Sequence, residues 1–408
     1  MDATPYAAAM AHISGHAGFQ TIAALERFGV DTMFTLNGGH IWPLYEAARA
    51  SGMRVVDTRH EQSATFAAEA YAKLTRRPGV AALTAGPGVT NGISAVTSAR
   101  FNGSPLVVLG GRAPAGRWGA GSLQEFDHVP LLDPLTKRAA TITDPNRAGA
   151  DVHAAATLAV SGHRGPVFLD FPLDVFGPAE CEIPDQVVVP DRSPDPDAVR
   201  ELAIAIARAE RPAILVGTDA YHDGAWDELE AAARALGVPC MFNGLGRGML
   251  PADHELAFMR TRSRLKSRAD LVVVVGTPLD FRVGFGSFGD ATVAHVVDHD
   301  AQRATHVDVL TVAGDIAATL AGLADHTGDR VDHSSWIAEL REAEEAERAR
   351  EADLLTADGA PSKPTRVYGE LRKQLERDAV VICDGGDFGS YAGKYVEVHQ
   401  RGGWLDTG

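Results

Sequence analysis

Arg59-His60-Glu61-Gln62 and Thr84-Ala85-Gly86-Pro87-Gly88-Val89-Thr90-Asn91 each stand at the end of a short β-like run, Arg54-Val55-Val56-Asp57 in the first case and Val80-Ala81-Ala82-Leu83 in the second. The first places a carboxylate where a helix begins. The second is a glycine-rich strand-to-helix turn whose backbone can approach a flat ring or an anion closely. Working outward, Ser14 can cap a helix carrying Ile22, Leu25 and Phe28 that Gly29 ends, and Thr32-Met33-Phe34-Thr35-Leu36 follows as another apolar run. Leu106-Val107-Val108-Leu109 and Val167-Phe168-Leu169-Asp170 add two further strands, separated by alanine-rich stretches long enough for crossover helices. The pattern predicts an α/β chain built of doubly wound parallel sheets.

Residues 1–178 form the first predicted domain. Residues 179–196, rich in Pro and Asp, read as a linker, and a second α/β pattern occupies residues 197–330, with strands at 213–216, 271–275 and 294–297 that fade near His326. Residues 331–362 read as a helical linker, its run from Trp336 to Leu355 a solvated helix dense in Glu, Arg and Ala. A third unit starts in residues 363–408 with a helix and a strand at 379–382.

Bulk properties narrow the function. The chain has 408 residues, 45% hydrophobic, and a formal net charge of −16, which argues against a nucleic-acid-binding surface. Cys181, Cys240 and Cys383 lie far apart, giving neither a disulfide framework nor a zinc site, and suit buried thiols in a reducing cytoplasm. Residues 1–11 lack the marks of a targeting signal and no apolar run is long enough to span a membrane, so the sequence predicts a cytoplasmic protein.

The two opening stretches and their surroundings resemble the pyrimidine-binding half of thiamin-diphosphate enzymes, and from residue 12 onward the chain is similar to the acetolactate synthase large subunits. The resemblance implies thiamin diphosphate as cofactor, with Glu61 hydrogen-bonded to N1′ of the aminopyrimidine, where proton exchange prepares the 4′-nitrogen to take the thiazolium proton. An apolar, water-poor setting suits such a carboxyl, and Val55, Val56, Ala64, Phe66 and Ala67 are its expected lining. Taken alone, Glu61 is an ordinary acid in the first turn of a helix. Thr84, Pro87, Gly88 and Asn91 match the family's pyrimidine pocket. Gly38 and Gly39 of Leu36-Asn37-Gly38-Gly39-His40, and Gln124 of Ser122-Leu123-Gln124-Glu125, match its substrate end, while His40, out of pattern, reads as a surface or loop histidine. Other positions depart from the synthases as well: Leu36 and Asn37 in the same turn as His40, Leu123, which replaces an aromatic residue, Leu173, which replaces a lysine, and Asp387 and Phe388, which replace Gln and His. Lys137 and Arg138 are the cations that could replace that lysine.

By the same resemblance, the middle domain corresponds to one that holds FAD, another adenine nucleotide or nothing, and Gly217, Asn243, Gly244, Arg282 and Asp298 are its nucleotide candidates. In Cys383-Asp384-Gly385-Gly386-Asp387-Phe388, Gly386 falls where diphosphate contacts are expected. The Mg²⁺ ligands are expected beyond Gly408, none in this chain, so the third domain is expected to be truncated and the 408 residues inactive alone. The implied activity joins a 2-oxo acid such as pyruvate, after decarboxylation, to a second 2-oxo acid in branched-chain amino-acid biosynthesis, in a homodimer or homotetramer. Another 2-oxo-acid or acyl-CoA decarboxylase, and a non-catalytic truncated paralogue serving as an assembly module, stay open.

Overall fold

The computed structural model describes residues 9–325 and 328–407. Readings that fall on residues 1–8, His326 and Gly408 lie outside the described residues. The chain divides into two compact units, Met1–Pro190 and Asp191–Gly408.

In the first unit the strands are β1 (Met10–His16), β2 (Thr32–Thr35), β3 (Arg54–Asp57), β4 (Gly79–Leu83), β5 (Leu106–Arg112), β6 (Ala139–Thr141), β7 (Val167–Pro172) and β8 (Pro178–Pro184). Six of them make one parallel sheet in the order β3-β2-β4-β5-β7-β6. Every residue of β4 and β7 is buried, which is why these strands read as unbroken apolar runs. The chain moves from β2 outward to β3 and then returns across β2 to β4. The crossovers therefore diverge between β2 and β4, and the loops leaving their carboxyl ends part to leave a crevice, the usual ligand site of an open α/β sheet.

Two local expectations are corrected. Ser14 does not cap the first helix: it lies in β1, and helix α1 (Ala17–Glu26) is capped by His16, whose Nδ1 accepts from the Gly18 amide at 3.0 Å. Residues 179–184, expected in a linker, belong to β8, which pairs antiparallel with β1 along its whole length. Its inward residues Cys181 and Ile183 are buried while their neighbours face out, the period-two pattern of a half-covered strand.

The second unit carries β9 (Pro212–Val216), β10 (Cys240–Phe242), β11 (Leu271–Val275), β12 (Thr292–Val297) and β13 (Leu310–Ala313), parallel in the order β10-β9-β11-β12-β13, and a separate parallel pair, β14 (Val381–Cys383) with β15 (Trp404–Asp406). The helix Ser334–Thr356 is no solvated linker. Trp336, Leu340, Glu344, Glu351 and Leu355 are buried, and Trp336 Nε1 donates to the Pro212 carbonyl at 2.9 Å. Its apolar stripe was visible in the sequence. The burial of its acids was not, because their partner, Arg260, donates from a distant loop at 3.3 Å to Glu344 and 2.7 Å to Glu351. The three cysteines are free and buried, and burial pushes the Cys240 thiol up to about 12, so that thiol is inert.

Candidate active site

Three loops from the carboxyl ends of β2, β3 and β4 meet around one carboxylate. Glu61 is the first residue of helix α3 (Glu61–Thr75) and is 8% exposed. The His60 side chain caps the helix by accepting from the Gln62 amide at 3.1 Å, so the turn presenting Glu61 is fixed from its own start. Asn91, at the end of the short helix Pro87–Asn91, donates from Nδ2 to Glu61 Oε2 at 3.0 Å. A charged hydrogen bond of this kind stabilises by about 1.5–3 kcal/mol and holds one oxygen still. The other is left toward Gly88.

Glycine is required around that carboxylate because the loops touch through their backbones. A Cβ on Gly38 would lie 2.2 Å from Thr84 Cβ, and one on Gly88 would lie 2.7 Å from Thr84 Cγ2 and 3.7 Å from Glu61 Oε1. Gly39 has open space at the same place. Gly86 adopts φ +60 and faces Gln124, itself at φ +57, a left-handed conformation rare for a residue with a side chain. The structure thus brings Glu61, Gly38, Thr84, Pro87, Gly88 and Asn91 together, with Gln124 against Gly86. The apolar lining differs from expectation: Ala64 is buried, but Val55 is exposed because β3 is the sheet's edge strand.

Two histidines belong to this site that the sequence did not assign to it. His40 is buried, with Nδ1 3.3 Å from Thr84 Oγ1, and burial holds its pKa below the usual histidine value. The surface reading of His40 is therefore overturned. His128 is fully buried, and its Nε2 accepts from the Gly86 amide at 2.9 Å. The ring proton then sits on Nδ1, 3.2 Å from Oδ2 of the fully buried Asp170. Arg112 Nη1 donates at 2.9 Å to that same oxygen and at 2.9 Å to Asp127. A chain of hydrogen bonds thus runs from Arg112 through Asp170 and His128 to Gly86, which opens the helix that ends at Asn91.

The cations proposed to replace the lysine lost at position 173 do not do so. Lys137 Nζ donates to the carbonyls of Leu158, Ser161 and His163 at 2.6, 2.6 and 2.8 Å, closing the carboxyl end of the helix Ala148–Val160. Arg138 is exposed. Leu123 and Leu173 are 77% and 41% exposed, so apolar surface stands where the synthase pattern has an aromatic ring and a charge.

In the second unit the crossovers diverge between β9 and β11. Gly217, at the end of β9, has no room for a side chain beside Thr277 and the Gly276 carbonyl, at 2.4 and 2.6 Å. Asn243 Nδ2 reaches Thr277 Oγ1 at 3.5 Å, and Gly244, at φ +50, lies against Thr218. Asp298 is buried just beyond β12. Arg282 is turned onto Asp280, whose two oxygens it engages at 2.7–3.2 Å, so its charge is spent locally. Gly386 starts the helix Gly386–Tyr395 at φ +78 with open space at its α-carbon.

A parallel sheet with a glycine-lined crevice at its switch point, and one acid held there at a helix start, is the arrangement expected of the pyrimidine-binding part of a thiamin-diphosphate enzyme, and comparison with known families agrees. Residues 16–131 match the family model "Thiamine pyrophosphate enzyme, N-terminal TPP binding domain" and residues 199–323 match "Thiamine pyrophosphate enzyme, central domain". The chain belongs to the thiamine pyrophosphate enzymes. It is 46% identical over 404 residues, 96% of this chain and 73% of the other, to a probable acetolactate synthase of Mycobacterium bovis, and equally to acetolactate synthase large subunit IlvG of Mycobacterium tuberculosis. It is 33% identical over 441 residues, 96% of this chain and 70% of the other, to 2-hydroxyacyl-CoA lyase 2 of Bos taurus.

Proposed function

We propose that this protein is a thiamin-diphosphate-dependent enzyme of the acetolactate synthase type, which decarboxylates a 2-oxo acid such as pyruvate and joins the remaining two-carbon unit to a second 2-oxo acid. The observation that carries the reading is the Glu61 carboxylate, one oxygen held by Asn91 and the other facing the space kept open by Gly88. Thiamin diphosphate, when bound, supplies the carbon nucleophile that this chemistry requires. The chain supplies the setting. Glu61 holds and returns a proton at a ring nitrogen, Thr84, Pro87, Gly88 and Asn91 hold the flat ring, and Gly386 belongs to the diphosphate. Gln124 and the Gly38–Gly39 turn face substrate.

Leu173, and the engagement of Lys137 elsewhere, favour a second reading in which the substrate's acyl part is larger and less charged, as in a 2-hydroxyacyl-CoA lyase. Supplying pyruvate to the full-length protein with thiamin diphosphate and Mg²⁺, and separately a 2-hydroxyacyl-CoA, separates them. Acetolactate formation that Glu61→Gln abolishes supports the first reading; cleavage of the carbon–carbon bond between C1 and C2 of the 2-hydroxyacyl-CoA, with release of an aldehyde and without acetolactate formation, moves the assignment to the second. We further propose Mg²⁺ as the diphosphate's counterion, a homodimer or homotetramer, and a cytoplasmic setting; no helix among the described residues is long and apolar enough to cross a membrane. An adenine nucleotide such as FAD in the second unit is supported by the close backbone at Gly217, Asn243 and Gly244. A yellow protein that releases flavin on denaturation is its test.

A further inference from the structure

Beside β10, the second unit carries a partly open cavity of about 270 Å³ whose lining includes Arg247, Arg260, Arg262, Lys394, Phe242 and Phe258. Four cations around so small a space call for compensation, and only two have it. Arg260 meets Glu344, Glu351 and Glu397 at 3.3, 2.7 and 3.1 Å, and Lys394 lies 3.4 Å from Glu351. Among the described residues no carboxylate lies within ion-pair distance of Arg247 or Arg262. Arg262 gives one hydrogen bond, to the Arg282 carbonyl. Arg247 lies over the Trp404 ring at 5.1 Å and against Gly393, where a Cβ would stand 2.9 Å from its Nη2. The residue is part-exposed, but its charged end is desolvated, which pulls its pKa down to about 10, with Asp406 acting on it only from a distance.

A desolvated ammonium can shed its proton, whereas a guanidinium keeps its own at any physiological pH. Two such groups facing one cavity leave about two positive charges to be met by something that enters it. The planar forks of arginine suit tetrahedral oxyanions, which they grip through two parallel hydrogen bonds. Phe242, Phe258 and Met241 lower the local dielectric and strengthen that grip. The loop Asn243 to Arg247 links this cavity to the crevice at Gly217, since its start bonds to Thr277 and Leu245 N donates to Thr218 Oγ1 at 3.3 Å.

We propose that this cavity is a binding site for a phosphoryl dianion, gripped by Arg247 and Arg262. The site is separate from the Glu61 pocket and does not depend on the thiamin reading. The phosphoryl group belongs either to a nucleotide, whose remainder lies toward Gly217, or to free phosphate or pyrophosphate. Thermal unfolding and calorimetry of the full-length protein, titrated at constant ionic strength with phosphate, pyrophosphate, ADP and FAD against chloride, test it. Saturable binding and a rising midpoint are expected for phosphate or pyrophosphate, and Arg247→Gln or Arg262→Gln should weaken them about tenfold or more, the loss of one charged hydrogen bond. Tighter binding of ADP or FAD than of pyrophosphate assigns the group to that nucleotide; the reverse assigns it to the free anion.

A second readout separates ligand binding from a structural role. Without anion, each Gln variant should raise the unfolding midpoint, because it removes an uncompensated charge; a purely structural arginine would lower it. The proposal fails if no anion saturates, if the variants bind as wild type does, or if they are less stable in chloride.

Discussion

Replacing His128 by Phe tests whether the buried relay holds the pyrimidine-binding loop. The ring volume is kept, so little cavity is opened, and two polar groups each lose a hydrogen bond. The Gly86 amide loses the acceptor it now has at 2.9 Å, and Asp170 Oδ2 loses the donor at 3.2 Å. The Gly86 amide, left without a partner, costs about 1–3 kcal/mol, and the charged hydrogen bond lost at Asp170 Oδ2, which keeps Arg112, about 1.5–3 kcal/mol, so the two sum to roughly 2.5–6 kcal/mol. Asp170 Oδ1 has no hydrogen-bond partner to begin with, which leaves Arg112 as the carboxylate's remaining donor. That places the expectation near the middle of the range, about 4 kcal/mol. Urea unfolding reads the total, and hydrogen exchange at the Gly86 amide reads the local part. His128→Gln can present an oxygen near Nε2 and should preserve Gly86 protection, whereas His128→Asn can present a donor near Nδ1 and should preserve Asp170 instead. A loss below about 1 kcal/mol, the size of an ordinary substitution, together with unchanged exchange at Gly86 would refute the relay.

Other outcomes follow from single features. Glu61→Gln should leave urea stability near wild type and lower kcat by about 10²-fold or more, since an amide cannot trade the proton; retention of a tenth of the activity would count against the assignment. Lys137→Met should cost about 1–3 kcal/mol through the uncapped carbonyls, with KM for the 2-oxo acid unchanged; a rise in KM without loss of stability would return Lys137 to the substrate. Arg260→Met strands Glu344 and Glu351 in the interior and should cost about 3–5 kcal/mol in urea unfolding, far more than Arg234→Met on the surface. Burial lowers the folded-state pKa of His295, His40 and His153 below 6.5, so the unfolded chain binds more protons in that window and stability should fall as pH drops through about 6.5, by at most about 1.4 kcal/mol per pH unit for each group. His295→Asn should flatten that slope; an unchanged slope would remove His295 from the account.

How far the fold was legible depends on which interactions set each element. β3 and β11 occupy the residues their apolar runs marked, because a strand bounded by turns is a local pattern. β1 and β8 were missed since they stabilise each other across nearly the whole length of the first unit, and neither alone carries a distinct signal. β6, β10 and β13 are short edge or near-edge strands whose pairing comes from neighbours already in place. The helix Ser334–Thr356 was placed correctly by its periodicity, while its environment was misjudged, since charge in a sequence says nothing of where the opposite charge comes from.

The same distinction decides the site. Glu61, Thr84, Gly88 and Asn91 were legible because each sits in a strand-to-helix turn or in the first turns of the helix it opens, and an open α/β sheet gathers such turns at its switch point whatever the loops contain. His40 stood inside a quoted turn and was still misread. What buries it is Gly111 on β5, where a Cβ would lie 2.5 Å from His40 Cβ, so a missing side chain on another strand turns a loop histidine inward. His128 had no local mark at all: its role exists only because Gly86 and Asp170 come to either side of one ring. Arginine gives the sharpest case. Arg260 and Arg262 are two residues apart in one loop, yet the first is met by three glutamates and the second by one carbonyl. Such compensation is a property of three-dimensional neighbours, and where it fails around a cavity the deficit itself points to the charge of what enters.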